Sequence, residues 1–319
     1  MKPIEKWLNQ SLTKIEPMRI IATTEARCNL ACEHCYWAHD MSSAPISDWR
    51  PAARKIANLG VPVFFAGRIL TPNGAFFLKH CISEGIKEIG IVDNGYTILT
   101  EPNLLPHYTS INISIDGWRE KHDQQRGKVG AFDKAWSTVM ELKKQGYDPI
   151  ISSALSPITL NEWERFENLL AENDVPVSST LVWALPNTAK RGTAVFAEKE
   201  MCVAFEKLMG GIPKLINIYS FEHAQTLWPI LSQLHWNLDT EFGDCLTATL
   251  SSGVTIVYRP ASLVSVFELS LQWDGVFYTP FTYGKGVPED EVDTSYLEWA
   301  RKTNTTELEL WSSILKGGD

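Results

Sequence analysis

Along the chain, short runs of apolar and β-branched residues alternate with longer stretches in which apolar side chains recur every three or four positions. The runs Met18–Thr23, Val61–Ala66, Glu88–Val92, Ser110–Ile115, Pro149–Ala154 and Pro176–Trp183 predict strands. Between most of them, Trp49–Leu59, Ala75–Glu84, Phe132–Gln145, Leu160–Glu172 and Lys199–Met209 carry helical periodicity. Strand and helix in alternation build parallel strands joined by right-handed crossovers, either an open barrel or a doubly wound sheet. After residue 211 the pattern changes. Leu215–Tyr219 is strand-like, Glu222–Leu234 is helical, Thr249–Tyr258 and Phe267–Tyr278 resemble hairpins, and a last helix runs from about Glu289 to Leu315. Asp274-Gly275 suits the tight turn of the second hairpin, because glycine reaches positive φ without steric cost. The expected division is a lead over 1–17, an α/β unit over 18–211 and a small α+β unit over 212–319.

Composition narrows the class. With 319 residues, 44% of them hydrophobic, the chain can bury a sizeable core. No apolar run approaches the roughly 18 residues that cross a bilayer. The start, Met1-Lys2-Pro3-Ile4-Glu5-Lys6, lacks the apolar centre of a signal peptide, so the expected location is the cytoplasm, with no membrane partner. Twenty-nine Lys and Arg against 38 Asp and Glu give a net charge of −9, a poor match to a phosphate backbone, so no nucleic-acid partner is expected. In a reducing compartment the six cysteines read as ligands, catalytic groups or core residues rather than disulfides. Cys81 and Cys202 fall on helical stretches and read as structural.

Three of the cysteines crowd into Cys28-Asn29-Leu30-Ala31-Cys32-Glu33-His34-Cys35-Tyr36. This segment follows the first predicted strand, at the carboxyl edge where parallel α/β folds collect ligands. Three thiolates on one loop suit a soft metal centre. A closed zinc site would need a fourth ligand, for which His34 or His39 is available. A 4Fe–4S cluster usually takes four thiolates, so one held by three keeps an iron open.

The C-x3-C-x2-C spacing, with Tyr36 after the last cysteine and a strand before the first, resembles the radical SAM superfamily. The likeness to its SPASM/twitch group continues through Ala66-Gly67-Arg68-Ile69, Asp93-Asn94-Gly95, Ser114-Ile115-Asp116-Gly117, Arg126-Gly127 and Gly130-Ala131-Phe132, in the family's order. It covers about residues 18 to 185 and implies a partial (β/α)6 TIM-like barrel followed by a small C-terminal α+β extension.

The resemblance implies one 4Fe–4S cluster on Cys28, Cys32 and Cys35, with S-adenosylmethionine (SAM) chelated at the open iron. Reductive cleavage of SAM would give a 5′-deoxyadenosyl radical that removes a hydrogen atom from an unactivated C–H bond. Such a site must exclude water and is oxygen-labile. His34 and Tyr36 fall where the family contacts the adenine end, and Gly67 where it approaches the methionine end; Arg68 beside it reads either as a surface cation or as a substrate or SAM contact. Asn94, Ser114 and Asp116 are expected to face SAM, and Arg126 to pair with its carboxylate as a planar fork. The family's Gly-Gly-Glu is here Ala66-Gly67-Arg68, so Asp93 or Asp116 would have to replace the lost carboxylate.

SPASM and twitch domains carry extra cysteines for auxiliary clusters. Here Gly243-Asp244-Cys245 and Trp273–Phe281 follow their framework, with Phe281 where a cysteine is common, so the tail is expected to hold no cluster. Cys245 reads either as an inert buried thiol or as a hydrogen donor to a substrate radical. The subgroup implies a peptide substrate and an electron donor such as flavodoxin or ferredoxin. With 17 residues before the first strand, no built-in leader-binding domain is expected, and a precursor peptide would need another recognition mode or a separate partner. Radical modification of a small metabolite is the alternative. A non-catalytic iron–sulfur or zinc sensor is the reading from another class.

Overall fold

The computed structural model describes residues 19–25, 28–35, 46–67, 71–96, 105–106, 109–181, 196, 198–210, 215–218, 221–239, 245–258, 268–272 and 274–278. Tyr36, Arg68, Phe281 and the helix expected at Glu289–Leu315 lie outside them.

Six strands, β1 (Arg19–Ala22), β2 (Val63–Gly67), β3 (Ile89–Asp93), β4 (Ser110–Ser114), β5 (Ile150–Leu155) and β6 (Val177–Leu181), pair in sequence order, all parallel. The crossovers carry α1 (Arg50–Leu59), α2 (Pro72–Ser83), α3 (Arg119–Arg126), α4 (Ala131–Lys144), α5 (Pro157–Leu160) and α6 (Trp163–Glu172). Start signals follow local chemistry. Thr71 caps α2, its side chain accepting from Gly74 N–H ahead of Pro72, and Ser156 and Thr159 form a reciprocal capping box on α5. The sequence pattern places the five longer helices it named within three residues at each end, and misses α3 altogether.

Alternation along the strands separates two faces. Ile111 and Ile113 of β4, Ile151 and Leu155 of β5, and Val177 and Leu181 of β6 are buried against the helices with Phe132, Val139, Phe166 and Leu170. The other face is less buried and largely polar on β4–β6, presenting Asn112, Ser114, Ser152, Ser178 and Thr180. This inner face, small and hydrophilic, is that of a partial barrel with room inside it.

The strands after residue 211 extend the same sheet at both of its edges. These are β7 (Leu215–Ile218), β8 (Asn237–Asp239), β9 (Cys245–Thr249), β10 (Thr255–Tyr258), β11 (Glu268–Leu271) and β12 (Phe277–Tyr278), with α7 (Glu198–Met209) before β7 and α8 (Phe221–Leu231) after it. β7 pairs parallel with β6 and β10 parallel with β7, and β9 and β8 follow antiparallel. At the opposite edge β11 pairs parallel with β1, and β12 closes the hairpin on its outer side. Gly275, at φ 80°, makes the expected turn of that hairpin. No helix among the described residues is long and apolar enough to cross a membrane.

Candidate functional site

The cysteine loop leaves β1 at the edge where β2, β3 and β4 also end, so Gly67, Asp93, Asn94 and Ser114 arrive beside it by topology alone. Gly67 is in register with Asp93 across β2 and β3. Ser114 is in register with Ser152 and shares the half-buried inner face with Asn112.

The loop is fastened to the last turn of α3. Ala31 N–H donates to Arg126 C=O at 3.3 Å, and Glu33 N–H donates to Gln125 C=O at 2.9 Å. Within the loop Cys35 N–H donates to Cys32 C=O at 3.2 Å. Gly127 ends α3 at φ 65°, and a Cβ there would stand 2.6 Å from the Ala31 carbonyl oxygen. Only glycine meets both the left-handed conformation and that approach. Lys128 Nζ reaches Asn29 C=O at 3.4 Å and lies over the Tyr96 ring at 4.4 Å from its centre.

Below the loop is a buried ion pair. Arg126 Nε and Nη2 donate to the two carboxylate oxygens of Asp116, each at 2.6 Å, and Nη1 points at Cys32 Sγ from 3.9 Å. The Arg126 fork expected on a SAM carboxylate is therefore spent on Asp116, which is fully buried. Asp116 accepts a further bond from Ala154 N–H at 3.1 Å, and its own N–H donates to His122 Nδ1 at 3.0 Å. The Asp116 carboxyl lies below the usual range because the favourable charges and hydrogen bonds of Arg126, with those of His34 and His122, outweigh its burial. Burial lowers His34 to about 4 and His122 to about 3, so both imidazoles are neutral at pH 7. Burial pushes the Cys32 thiol up to about 11 against the pull of Arg126.

His122 and Asp123, neighbours on α3, serve different ends. His122 is 1% exposed, and Asp123 accepts from Gly130 and Phe132 N–H at 2.6 and 2.8 Å, an anion at the start of α4. Asn94 turns to the loop rather than away from it, donating to Asn29 Oδ1 at 2.8 Å, with Cys28 Sγ at 3.7 Å. Asp93 Oδ1 is taken by Gly95 N–H at 2.7 Å. Both carboxylates expected to compensate for Arg68 thus have partners in the protein. The sequence reading missed Glu25, half-buried at the exit of β1, whose carboxylate accepts from the Thr71 hydroxyl at 2.6 Å. It also missed Gln125, 0% exposed. Cys81 is buried in the core as expected, and Cys202 is part-buried against it. Cys245 begins β9 beside the carboxyl end of β10, and alternation puts it opposite the core-facing Leu246 and Ala248, on the inner face.

Among the described residues no three His, Cys, Asp or Glu side chains stand close enough to hold a single metal ion. A four-iron core is wider and takes its thiolates at separate corners. Three thiol donors, with the Arg126 cation and the Asn94 amide turned toward their sulfurs, fit such an anionic core.

No protein-family model matches the chain. Among curated proteins it is similar to the sporulation killing factor maturation protein SkfB of Bacillus subtilis (strain 168), 25% identical over 210 residues, 62% of this chain and 49% of SkfB. The antilisterial bacteriocin subtilosin biosynthesis protein AlbA of the same strain is 28% identical over 160 residues, 46% of this chain and 35% of AlbA. These relatives are radical SAM maturases, and the chain is similar to them. It spans half or less of the length of these two relatives. Likeness of fold extends beyond the similar sequence. Streptococcus suis SuiB, solved with its precursor peptide SuiA, superimposes with a TM-score of 0.65 at 13% identity, covering 93% of this chain and 69% of SuiB. The likeness supports the partial barrel of parallel strands found here.

Proposed function

We propose that this chain is a radical SAM enzyme that holds one 4Fe–4S cluster on Cys28, Cys32 and Cys35, binds SAM at the strand ends, and removes a hydrogen atom from a peptide substrate. The observation that carries this reading is a three-cysteine loop fixed at the carboxyl edge of a parallel sheet, above an inner face of small polar side chains. When bound, the cluster and SAM supply one-electron cleavage of the sulfonium and a 5′-deoxyadenosyl radical.

The chain's own residues bind, orient and shield. Gly67 leaves the methionine end room beside β2, and Arg68 is the adjoining contact. The His34 backbone and Tyr36 meet the adenine. Ser114 faces the ribose from the inner face. Asp116 and Arg126 act from behind, lending a cation to the sulfur of Cys32 rather than to the nucleotide. Residues 18–211 serve as the SAM-binding barrel, and 212–319 as the extension that lengthens its edges without an auxiliary cluster. Cys245, inner-facing at the same edge, is the hydrogen donor if the reaction inverts a centre. An electron donor such as flavodoxin or ferredoxin supplies the reducing equivalent.

The peptide substrate is supported by the relatives: SkfB is named for the maturation of a sporulation killing factor, AlbA for the biosynthesis of the bacteriocin subtilosin, and SuiB was solved with a precursor peptide. The test is anaerobic incubation of the reconstituted protein with dithionite, SAM and a peptide encoded beside its gene. Release of 5′-deoxyadenosine, raised by the peptide and carrying its deuterium label, is expected. An intact cluster that never cleaves SAM would leave a sensor instead. Cleavage that only a small metabolite stimulates would move the substrate class.

A further inference from the structure

Gln125 and Arg126 are consecutive residues of α3 built to the same plan. Each gives its backbone carbonyl to the cysteine loop, Gln125 to Glu33 N–H and Arg126 to Ala31 N–H. Each also sends its side chain to the exit of a barrel strand. Arg126 goes to Asp116 after β4. Gln125 goes to the end of β5, where its Nε2 donates to Ala154 C=O at 2.6 Å and its Oε1 accepts from the Ser156 hydroxyl. The Ala154 peptide is thereby gripped at both ends, its N–H by Asp116 and its carbonyl by Gln125. The same Ser156 oxygen accepts from Ile158 N–H and starts α5, so the anchor is itself held.

From this arrangement we infer that Gln125 is a positioning residue: a neutral strut that fixes the Cys32 end of the cysteine loop against the exit of β5. Arg126 combines placement with charge, whereas Gln125 carries no charge and bonds to the cysteine loop only through its backbone carbonyl, so its effect is placement alone. Its amide fills both roles the site offers, donor to a carbonyl and acceptor from a hydroxyl. A carboxylate there would set a charge against the Ala154 carbonyl, and a shorter amide would not span the gap. The inference rests on the cluster reading for its functional meaning. Its mechanical part is visible in the metal-free chain.

The experiment pulses metal-free, reduced protein with a small alkylating reagent and reads labelling at each cysteine by mass spectrometry. Gln125→Ala is expected to raise labelling of Cys32, 5% exposed, about five- to tenfold, the scale of a lost buried hydrogen bond or two, and to leave the exposed Cys28 unchanged. Ser153→Ala is the control. It deletes a buried side-chain bond to Ile115 C=O at 2.7 Å on the same strand without touching α3, and should leave Cys32 as in the parent. Ser156→Thr, which keeps the hydroxyl, should also match the parent. In reconstituted protein, Gln125→Ala should retain its iron but change the resonance of the reduced cluster upon SAM addition. Equal Cys32 labelling in Gln125→Ala and the parent, or equal rises in Gln125→Ala and Ser153→Ala, would overturn the strut. Failure of the parent to take up iron would instead overturn the cluster reading, and the labelling result would stand on its own.

Discussion

The two ends of the cysteine loop are held in different ways. Around Cys32, two backbone amides are bonded to α3, an arginine approaches the sulfur, and the thiol is buried. Around Cys28 the sulfur is exposed, with only side-chain groups near it, the Asn94 amide and the Asn29 Oδ1, each at 3.7 Å. The first end is preorganised and the second is free to adjust. A three-thiolate site benefits from both: the fixed end sets where the core lies relative to the strand ends, and the loose end lets the core enter.

The contrast breaks most completely at Arg126. Arg126→Met leaves the Asp116 carboxylate buried without its partner, which should cost about 3–5 kcal/mol in denaturant unfolding and release the Cys32 end. An unchanged midpoint would mean that the pair is not formed in solution.

Acid should loosen the same end through His122, which faces Asp116, Arg126 and His34. Its native value of about 3 lies below its ordinary 6.5, so between these the unfolded chain binds more protons and stability falls as pH falls. This one group contributes a slope of about 1.4 kcal/mol per pH unit at most. In His122→Asn that share of the slope between pH 6 and 4 should vanish. Parallel pH curves for variant and parent would contradict the assignment.

A smaller loss is expected at the contact between loop and helix. Gly127→Ala forces a Cβ against the Ala31 carbonyl at positive φ, at a cost of about 1–3 kcal/mol, and should speed hydrogen exchange at Ala31 and Glu33. Smallest of all, Asn94→Ala should cost about 1 kcal/mol or less and raise alkylation of Cys28 slightly without affecting Cys32. If it frees Cys32 as well, the two ends are not independent.

The sequence made the barrel strands and their longer helices legible because each buries an apolar face with its own period, as Ile151 and Leu155 do on β5 or Phe166 and Leu170 on α6. It hid α3 for the opposite reason. Arg119–Arg126 reads REKHDQQR, and the face it buries is His122, Gln125 and Arg126, so no hydrophobic period marks the helix that holds the site. Motif order also put the cysteines, Gly67 and Asn94 at successive strand ends, and the sheet brings those ends to one edge. The engagement of Arg126 by Asp116 was not legible, since a planar fork fits a protein carboxylate as well as a ligand's. The tail hairpins were legible from alternation and Asp274-Gly275, whereas their attachment to opposite edges of one sheet depends on pairing partners distant in sequence.

The metal content of protein produced without oxygen tests the central claim most directly. The account predicts about four irons and four sulfides per chain, lost in Cys28→Ala, Cys32→Ala and Cys35→Ala alike, with a reduced-state resonance that shifts when SAM is added. One zinc per chain, or an iron signal indifferent to SAM, would contradict it.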